Sequence, residues 1–240
     1  MTEPGRVVLS GRFRLVRPLG EGGMGVVWEA EEVATRARRA IKFLKDDDRS
    51  DASVRRFRRE AQAASAIAHA NIVKVFEVAE EPDGTAAIVM ELLDGESLGA
   101  RLEREGTLSL GQAAAILLRV VSALRAAHAA GIVHRDLKPD NVFLAVEPGG
   151  SVAVRVLDFG IAKQYGVPGD SLTVTGTIMG TPMYMSPEQA SGERGLDPRT
   201  DVWSIAVLAF ECLTGTLPVS GENYGQLLAR LIRGDIRRLS

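Results

Sequence analysis

The residues best suited to chemistry lie in one segment, His134-Arg135-Asp136-Leu137-Lys138-Pro139-Asp140-Asn141. Its spacing is H-R-D-x-x-x-x-N. A carboxylate such as that of Asp136 can orient a substrate hydroxyl and accept its proton. The amide oxygen of Asn141 suits a hard cation such as Mg²⁺. Because so many positions are specified, a chance match is improbable, and the segment predicts a catalytic loop.

A second acidic candidate follows an apolar strand pattern over residues 154–157. Asp158-Phe159-Gly160 is a tripeptide that is common by chance, but it becomes specific when it closely follows the first motif. Asp158 would chelate a magnesium ion that bridges phosphate groups. The glycine would give this loop the freedom to change conformation.

A glycine cluster lies near the N-terminus, Gly20-Glu21-Gly22-Gly23-Met24-Gly25-Val26-Val27. Glycines allow a backbone to approach phosphate oxygens closely. The spacing G-x-G-x-x-G also occurs in Rossmann dinucleotide sites, and a plain hairpin would explain it too. A Rossmann turn opens a helix, whereas Val26-Val27-Trp28 favours a strand. The pattern therefore favours a hairpin that covers phosphates.

Lys42 and Glu60 form a candidate pair. Lys42 lies in a predicted strand, and Glu60 lies on a helix predicted over residues 54–68. A lysine held by a carboxylate can place its ammonium group on the α- and β-phosphates of a nucleotide. Taken singly, each residue has a plainer interpretation, a surface lysine and one more acid on an arginine-rich helix.

The elements that must position these residues change character near residues 91–95. The first part predicts strands over residues 13–16, 26–28, 40–44, 72–78 and 86–90. The second predicts helices over residues 98–105, 110–130, 201–214 and 224–233, with short strands flanking residues 134–141 and preceding Asp158. We expect an α+β fold with a small antiparallel β lobe, residues 13–93, and a larger, mainly helical lobe, residues 94–240.

The ordered motifs resemble those of eukaryotic-type (Hanks-type) serine/threonine protein kinases, most of all the bacterial receptor-type members. The resemblance covers about residues 13–233. It implies a bilobal protein-kinase-like fold and transfer of the γ-phosphate of ATP to serine or threonine hydroxyls of proteins. It implies ATP and Mg²⁺ as cofactors, with Mn²⁺ as an alternative. Lys138, which would contact the γ-phosphate, and Thr181, which would bond the catalytic Asp136 and Lys138, imply the serine/threonine branch.

The resemblance also implies an adenine site between Val27, Ala40 and Phe143, with Met90 as gatekeeper. The backbone of Glu91 and Leu93 would hydrogen-bond the adenine. The full set of implied nucleotide-binding residues is Leu19, Gly20, Glu21, Gly22, Gly23, Met24, Gly25, Val27, Ala40, Lys42, Met90, Glu91, Leu93 and Phe143.

Two further positions bear on how complete the domain is. Ser186-Pro187-Glu188 stands where the family usually has A-P-E, and no arginine partner can be assigned to Glu188. We therefore expect an incomplete kinase domain that lacks the C-terminal helices after residues 224–233. Asp201 matches the aspartate that braces the catalytic loop backbone in the family; N-capping of its own helix is the simpler interpretation.

The threonine-rich segment between D-F-G and S-P-E predicts regulation. Phosphate on Thr173 and Thr175 would add negative charge, and Arg135 could pair with it. We expect autophosphorylation at both threonines. The alternative is a solvated loop with no regulatory role.

Composition limits the setting in which the protein works. The formal net charge of −2 argues against general nucleic-acid or membrane affinity. A lone cysteine, Cys212, suits a reducing compartment. We see no signal peptide, and the apolar stretch of residues 203–213 is too short to cross a bilayer. We expect a cytoplasmic domain with no membrane segment, or the cytoplasmic part of a membrane-anchored kinase if the natural chain continues.

The expected partners are proteins that bear serine or threonine, and a homodimer would permit phosphorylation in trans. A pseudokinase that binds nucleotide or acts as a scaffold is one rival, and its mark would be loss of a motif residue. A truncated domain without full activity is another rival, and a dinucleotide-binding enzyme is more distant.

Overall fold

The computed structural model describes residues 3–21, 25–44, 65, 67–158, 182–193 and 195–237. The chain divides into two compact units. The first comprises residues 1–68 and 73–94, and the second comprises residues 69–72 and 95–240. The helix predicted over residues 54–68 lies almost entirely outside the described residues.

The first unit contains a six-stranded antiparallel sheet with the order β1-β2-β3-β4-β6-β5. Its strands are β1 Val7–Val8, β2 Phe13–Glu21, β3 Gly25–Glu32, β4 Arg38–Leu44, β5 Val75–Glu80 and β6 Ala86–Glu91. The five predicted strands are present, most of them longer than the pattern indicated. The sequence did not predict β1, because two residues are too short for an alternating pattern.

Alternation of side chains gives this sheet two different faces. One face buries pairs spaced two residues apart on four strands: Phe13 and Leu15, Trp28 and Ala30, Ile41 and Phe43, Ala87 and Val89. The intervening residues point to the opposite face. That second face carries Lys42, together with a smaller apolar cluster of Leu44, Ala86 and Ile88.

In its described residues, the second unit combines five helices with a three-stranded antiparallel sheet of order β7-β8-β9. The strands are β7 Gly95–Ser97, β8 Val142–Val146 and β9 Val152–Val156. The helices are α1 Leu98–Glu105, α2 Leu110–Ala129, α3 Pro187–Ala190, α4 Arg199–Thr214 and α5 Tyr224–Arg233, with single 3-10 turns at Pro139–Asn141 and Pro182–Tyr184. Strands and helices together confirm the expected α+β fold.

Helix ends follow the local capping chemistry. Ser97 and Ser109 accept hydrogen bonds from the backbone of α1 and α2 through their side chains. Gly131, at φ 76°, follows α2 in the left-handed conformation that glycine adopts readily. The predicted limits of α1 and α5 are correct, and α2 ends one residue earlier than predicted. The strand expected before His134 is wrong, since residues 132–138 are irregular.

α2 is the one helix among the described residues that is long and apolar enough to cross a membrane by length and composition. This is weak evidence, because the core helix of a globular domain passes the same test. α2 buries a stripe of small and apolar residues, Ala113, Val120, Ala123, Leu124 and Ala127.

A four-residue segment, residues 69–72, belongs to the second unit although both its flanks in sequence belong to the first. The Asn71 side chain donates to the Val154 carbonyl at 2.9 Å, and the Asn71 carbonyl accepts the Val156 N–H at 2.8 Å. Ile72 forms a parallel bridge with Val156. These residues extend the hydrogen bonding of β9 beyond its pairing with β8.

Candidate catalytic site

The catalytic segment is held by a buried carboxylate on α4. Asp201 is 0% exposed and lies in the first turn of this helix. Its Oδ2 accepts the backbone N–H of His134 at 2.9 Å, and its Oδ1 accepts the N–H of Arg135 at 2.9 Å. Nε2 of His128 lies 2.7 Å from the same Oδ2. The bracing role expected from the resemblance is therefore observed.

The alternative interpretation of Asp201, a simple N-cap, is wrong. α4 begins at Arg199, and the N-cap position is Pro198, which makes no side-chain cap. Asp201 lies inside the helix, where a negative charge in the first turn is favoured by the helix dipole. Its oxygens bond another segment of the chain rather than the N-terminus of α4.

The backbone of the catalytic segment adopts a conformation that needs such support. Arg135 has φ 64°, in the left-handed region that costs a non-glycine residue about 1–2 kcal/mol. The Arg135 N–H is bound by Asp201, and the Arg135 carbonyl accepts the side-chain amide of Gln189 at 2.8 Å. The contacts on both sides stabilise this conformation.

His134 is fully buried and links two parts of the site. Its Nε2 lies 3.0 Å from the Leu157 carbonyl oxygen, and its Nδ1 accepts the Asp136 N–H at 3.3 Å. Because a carbonyl only accepts, the hydrogen is on Nε2. His134 thus connects the residue before Asp158 with the peptide of Asp136.

Asn141 is oriented by Asp136. Its Nδ2 donates to the Asp136 carbonyl at 2.7 Å and lies 3.4 Å from the Asp136 carboxylate. The backbone carbonyl of Asn141 accepts the Leu157 N–H at 2.8 Å. Because Nδ2 is the atom that bonds Asp136, the Oδ1 atom of the amide points the other way. Because the Asn141 backbone bonds Leu157, the residue before Asp158, the two predicted metal ligands lie on segments that are hydrogen-bonded to each other.

This donor set fits a magnesium ion held together with phosphates. The described residues contain no group of three or more His, Cys, Asp or Glu side chains that could hold a metal ion alone. Mg²⁺ in nucleotide sites is usually bound by one or two protein oxygens plus substrate phosphates. The amide oxygen of Asn141 and the carboxylate of Asp158 supply oxygens of that kind.

Lys138, predicted to contact the γ-phosphate, lies in the same segment. Its Nζ is 3.8 Å from the Asp140 carboxylate, and its side chain is partly buried. The carbonyl of Lys138 accepts the Asn141 N–H at 3.0 Å, which closes the 3-10 turn between them. Thr181, Thr173 and Thr175 lie outside the described residues.

In the first unit, the predicted nucleotide-binding residues share one face of the sheet. Lys42 is only 7% exposed and pairs with Val27 on β3 and with Ile88 on β6. Gly20 pairs with Val27, and Ala40 pairs with Met90. Directly paired residues project to the same side of a sheet. Lys42 therefore occupies a buried central position rather than the surface position that a lone lysine would suggest.

The rest of the predicted nucleotide-binding set is more dispersed. The Glu91 N–H donates to the Lys74 carbonyl at 2.9 Å. In a hydrogen bond between adenine and the Glu91 backbone, the Glu91 carbonyl would therefore be the acceptor. Leu93 lies in the link after β6, Leu19 and Glu21 lie on β2, and Phe143 lies on β8 of the second unit. Gly22, Gly23, Met24 and Glu60 are outside the described residues.

The S-P-E segment has partners that the sequence did not indicate. Thr200 donates its hydroxyl to Glu188 at 2.9 Å, so Glu188 has a hydrogen-bond partner that is not an arginine. Gln189 completes a capping box with Ser186 and also bonds Arg135. The spacing Ser186 to Gln189 was a visible signal for the capping box. Nothing in the sequence indicated the bond to Arg135.

A buried phenol and a partly buried carboxylate lie next to this segment. Tyr184 donates its hydroxyl to Glu211 at 2.8 Å. Burial raises the pKa of Glu211, and the charge of Asp140 raises it further, while the hydrogen bond from Tyr184 opposes both effects. Burial also raises the pKa of Tyr184, and the bond to Glu211 adds to that shift.

Comparison with known proteins agrees with these motifs. Residues 13–238 match the protein kinase domain family. The chain is 45% identical over 232 residues to the serine/threonine-protein kinase Pkn1 of Myxococcus xanthus, covering 96% of this chain and 32% of that protein. It is 43% identical over 221 residues to the serine/threonine-protein kinase PknA of Mycobacterium tuberculosis, covering 90% of this chain and 50% of that protein.

The chain thus spans about a third to a half of the length of these relatives. The match nevertheless runs through both units and through every motif described above. The chain therefore belongs to the protein kinase domain family, among the bacterial serine/threonine kinases with eukaryotic-type motifs.

Proposed function

We propose that this domain transfers the γ-phosphate of ATP to serine or threonine hydroxyls of proteins. The observation that carries the proposal is the braced catalytic segment, in which Asp201 holds the backbone of His134 and Arg135. Such positioning matters because phosphoryl transfer depends on orientation and electrostatic stabilisation more than on covalent chemistry.

Each predicted site residue has a role in this proposal. Asp136 orients the acceptor hydroxyl and takes up its proton. Asn141 and Asp158 would hold Mg²⁺, or Mn²⁺ in its place, which would supply positive charge beside the phosphates. Lys42, held by Glu60, positions the α- and β-phosphates, while Lys138 and Thr181 act near the γ-phosphate. The glycine-rich hairpin covers the phosphates.

The pseudokinase alternative is not favoured. Lys42, Asp136, Asn141 and Asp158 are all retained in the sequence. The relatives Pkn1 and PknA carry the name serine/threonine-protein kinase. A nucleotide-binding scaffold is the second candidate function. The phosphate-transfer experiment described next also tests it.

The primary test is phosphate transfer from ATP to a generic basic protein in the presence of Mg²⁺, with Asp136→Asn as the matched variant. We expect the variant to lose at least about 100-fold in rate, the effect typical of removing a general base. Equal incorporation in the two proteins would overturn the assignment of Asp136. Melting with and without MgATP would identify a nucleotide-binding protein that has no turnover.

Regulation and setting are part of the same proposal. Thr173 and Thr175 are proposed autophosphorylation sites, a homodimer would carry out the reaction in trans, and the domain would act in the cytoplasm on protein substrates. Mass spectrometry after incubation with MgATP tests the sites. Active protein with both threonines unmodified would contradict them.

A further inference from the structure

Gln189 occupies an unusual position between the S-P-E segment and the catalytic segment. It is the last residue but one of α3 and is 1% exposed. Its Nε2 donates to the carbonyl of Arg135 at 2.8 Å, and its Oε1 accepts the N–H of Ser186 at 3.1 Å. Reversing the amide would place oxygen against oxygen and N–H against N–H, so its orientation is determined by these two partners.

The Arg135 carbonyl belongs to the peptide that leads directly into Asp136. The two preceding peptides are held by Asp201, through the N–H groups of His134 and Arg135. The third peptide is the one between Arg135 and Asp136. There the N–H of Asp136 bonds His134, a residue of the same segment, and the carbonyl of Arg135 bonds Gln189. Gln189 thus holds this third peptide from outside the segment.

We infer that Gln189 is a positioning residue for catalysis, which holds the Arg135–Asp136 peptide and thereby sets the direction of the Asp136 carboxylate. The inference rests on the proposed phosphotransfer by Asp136. The left-handed φ of Arg135 makes the contact necessary, because a strained residue persists only where its surroundings determine its conformation.

The position of Gln189 also ties the catalytic segment to α3. The Gln189 N–H donates to the Ser186 hydroxyl at 3.4 Å, and Ser186 is fully buried. The neighbouring Glu188 is bound by Thr200 at the start of α4, the helix that carries Asp201. Both supports of the segment, Asp201 and Gln189, therefore belong to one connected group of α3 and α4.

Two variants separate positioning from helix capping. Gln189→Met removes both hydrogen bonds of the side chain. Gln189→Glu keeps an oxygen for the Ser186 N–H, since Ser-x-x-Glu is itself a capping box, but its carboxylate cannot donate to the Arg135 carbonyl. A purely structural role in capping α3 would be rescued by glutamate, whereas the positioning role would not.

The chain offers a matched control in α2. Gln112 forms the same capping box with Ser109 and contacts the solvent-exposed start of that helix. Gln112→Met and Gln112→Glu change the same capping chemistry at an exposed helix start outside residues 132–141. They should leave kcat unchanged within about twofold, as expected for an exposed helix cap.

The experiment measures kcat, KM for ATP and amide hydrogen exchange of residues 132–141 in all four variants, the parent protein and Asp136→Asn. We expect both Gln189 variants to lose about 10- to 100-fold in kcat, with KM for ATP within about threefold, since small displacements of a catalytic group have effects of this size. Exchange in residues 132–141 should be faster in both, and unchanged in the Gln112 variants.

Wild-type kcat for Gln189→Glu, or unchanged exchange in residues 132–141, would overturn the positioning role. The exchange measurement needs no turnover, so it reports on the contact even if the parent protein and Asp136→Asn prove equally inactive. That last result would reject the proposed function, and the exchange measurement would still decide whether Gln189 holds residues 132–141. Gln189→Met, which places no charge at this buried position, keeps the inference testable if Gln189→Glu fails to fold.

Discussion

The carboxylate of Asp201 accepts the backbone N–H of Arg135 at 2.9 Å, across 66 residues of sequence. This bond, with that to His134, places a full negative charge in a site that is 0% exposed. A buried charge is stable only where hydrogen bonds replace its hydration. The catalytic segment therefore supplies the hydrogen bonds that Asp201 needs, and Asp201 supplies the support that the segment needs.

Asp201→Asn should destabilise the protein and reduce activity. One side-chain oxygen would become an NH₂ group facing an N–H donor, which loses a charge-assisted bond and leaves a buried donor unsatisfied. We expect the free energy of unfolding to fall by about 2–4 kcal/mol and kcat to fall with it. Denaturant unfolding and steady-state kinetics measure the two effects. Asp197→Asn, at an exposed position paired with Arg199, is the control and should change stability far less.

Gly25→Ala should destabilise the first unit for a reason unrelated to phosphate binding. A Cβ at Gly25 would lie 2.2 Å from the carbonyl oxygen of Phe43, so β3 and β4 would have to separate. We expect a loss of about 1–3 kcal/mol, as for overpacking in a core. Gly20→Ala has nothing within 4 Å of its Cβ and should leave the melting temperature nearly unchanged. Equal melting temperatures of the two variants would contradict the role assigned to Gly25.

Lys42→Met should abolish most phosphotransfer without unfolding the sheet. Methionine can fill the apolar part of this nearly buried position, but it cannot hold phosphate oxygens. We expect a loss on the order of 100-fold in kcat/KM, typical of removing one electrostatic contact to a transition state. Lys74→Met, which removes an exposed ammonium 5.0 Å above the ring of Phe76, is the control. Comparable activity of the two variants would exclude the nucleotide role of Lys42.

Glu211→Gln should become more stabilising as pH rises. Burial raises the pKa of Glu211, so the folded state binds a proton more tightly than the unfolded chain. Between the ordinary carboxyl pKa and the raised one, the unfolding free energy of the parent protein therefore falls as pH rises. Glutamine keeps an acceptor for Tyr184 and carries no charge, so its advantage grows across that window and is constant above it. Unfolding at several pH values measures this.

An exposed glutamate of α1 provides the comparison. Glu103→Gln, at a surface position of α1, is the control, and its unfolding free energy is measured at the same pH values. If the two differences followed the same curve, the burial of Glu211 would not be the cause.

Local patterns predicted much of the fold. Short apolar runs predicted the strands that carry Lys42 and Met90, and the sequence pattern predicted α1 and α5 with their correct limits. The start of α4 was predicted two residues late, because Pro198 and Arg199 do not resemble a capping sequence. Such errors arise where one turn of helix has no distinctive residue at its end.

The site was predictable only where chemistry requires particular residue types. Asp136, Asn141 and Asp158 were recognisable because their spacing is specific. The contact of Gln189 with Arg135 joins residues 54 positions apart, and that of His128 with Asp201 joins residues 73 apart. A glutamine or histidine in a helix has many ordinary explanations, and no local pattern shows which distant carbonyl or carboxylate it will meet.

The segment of residues 69–72 has a consequence for cutting the chain into pieces. A chain that starts at Gly95 would contain α1–α5 and the sheet of β7, β8 and β9, but it would lack Asn71 and Ile72. The Val156 N–H and the Val154 carbonyl would then lose their partners. The two units are thus interleaved in sequence: a contiguous stretch of residues 1–94 would carry residues 69–72 away from the second unit, and a stretch from residue 95 onward would lack their hydrogen bonds to β9.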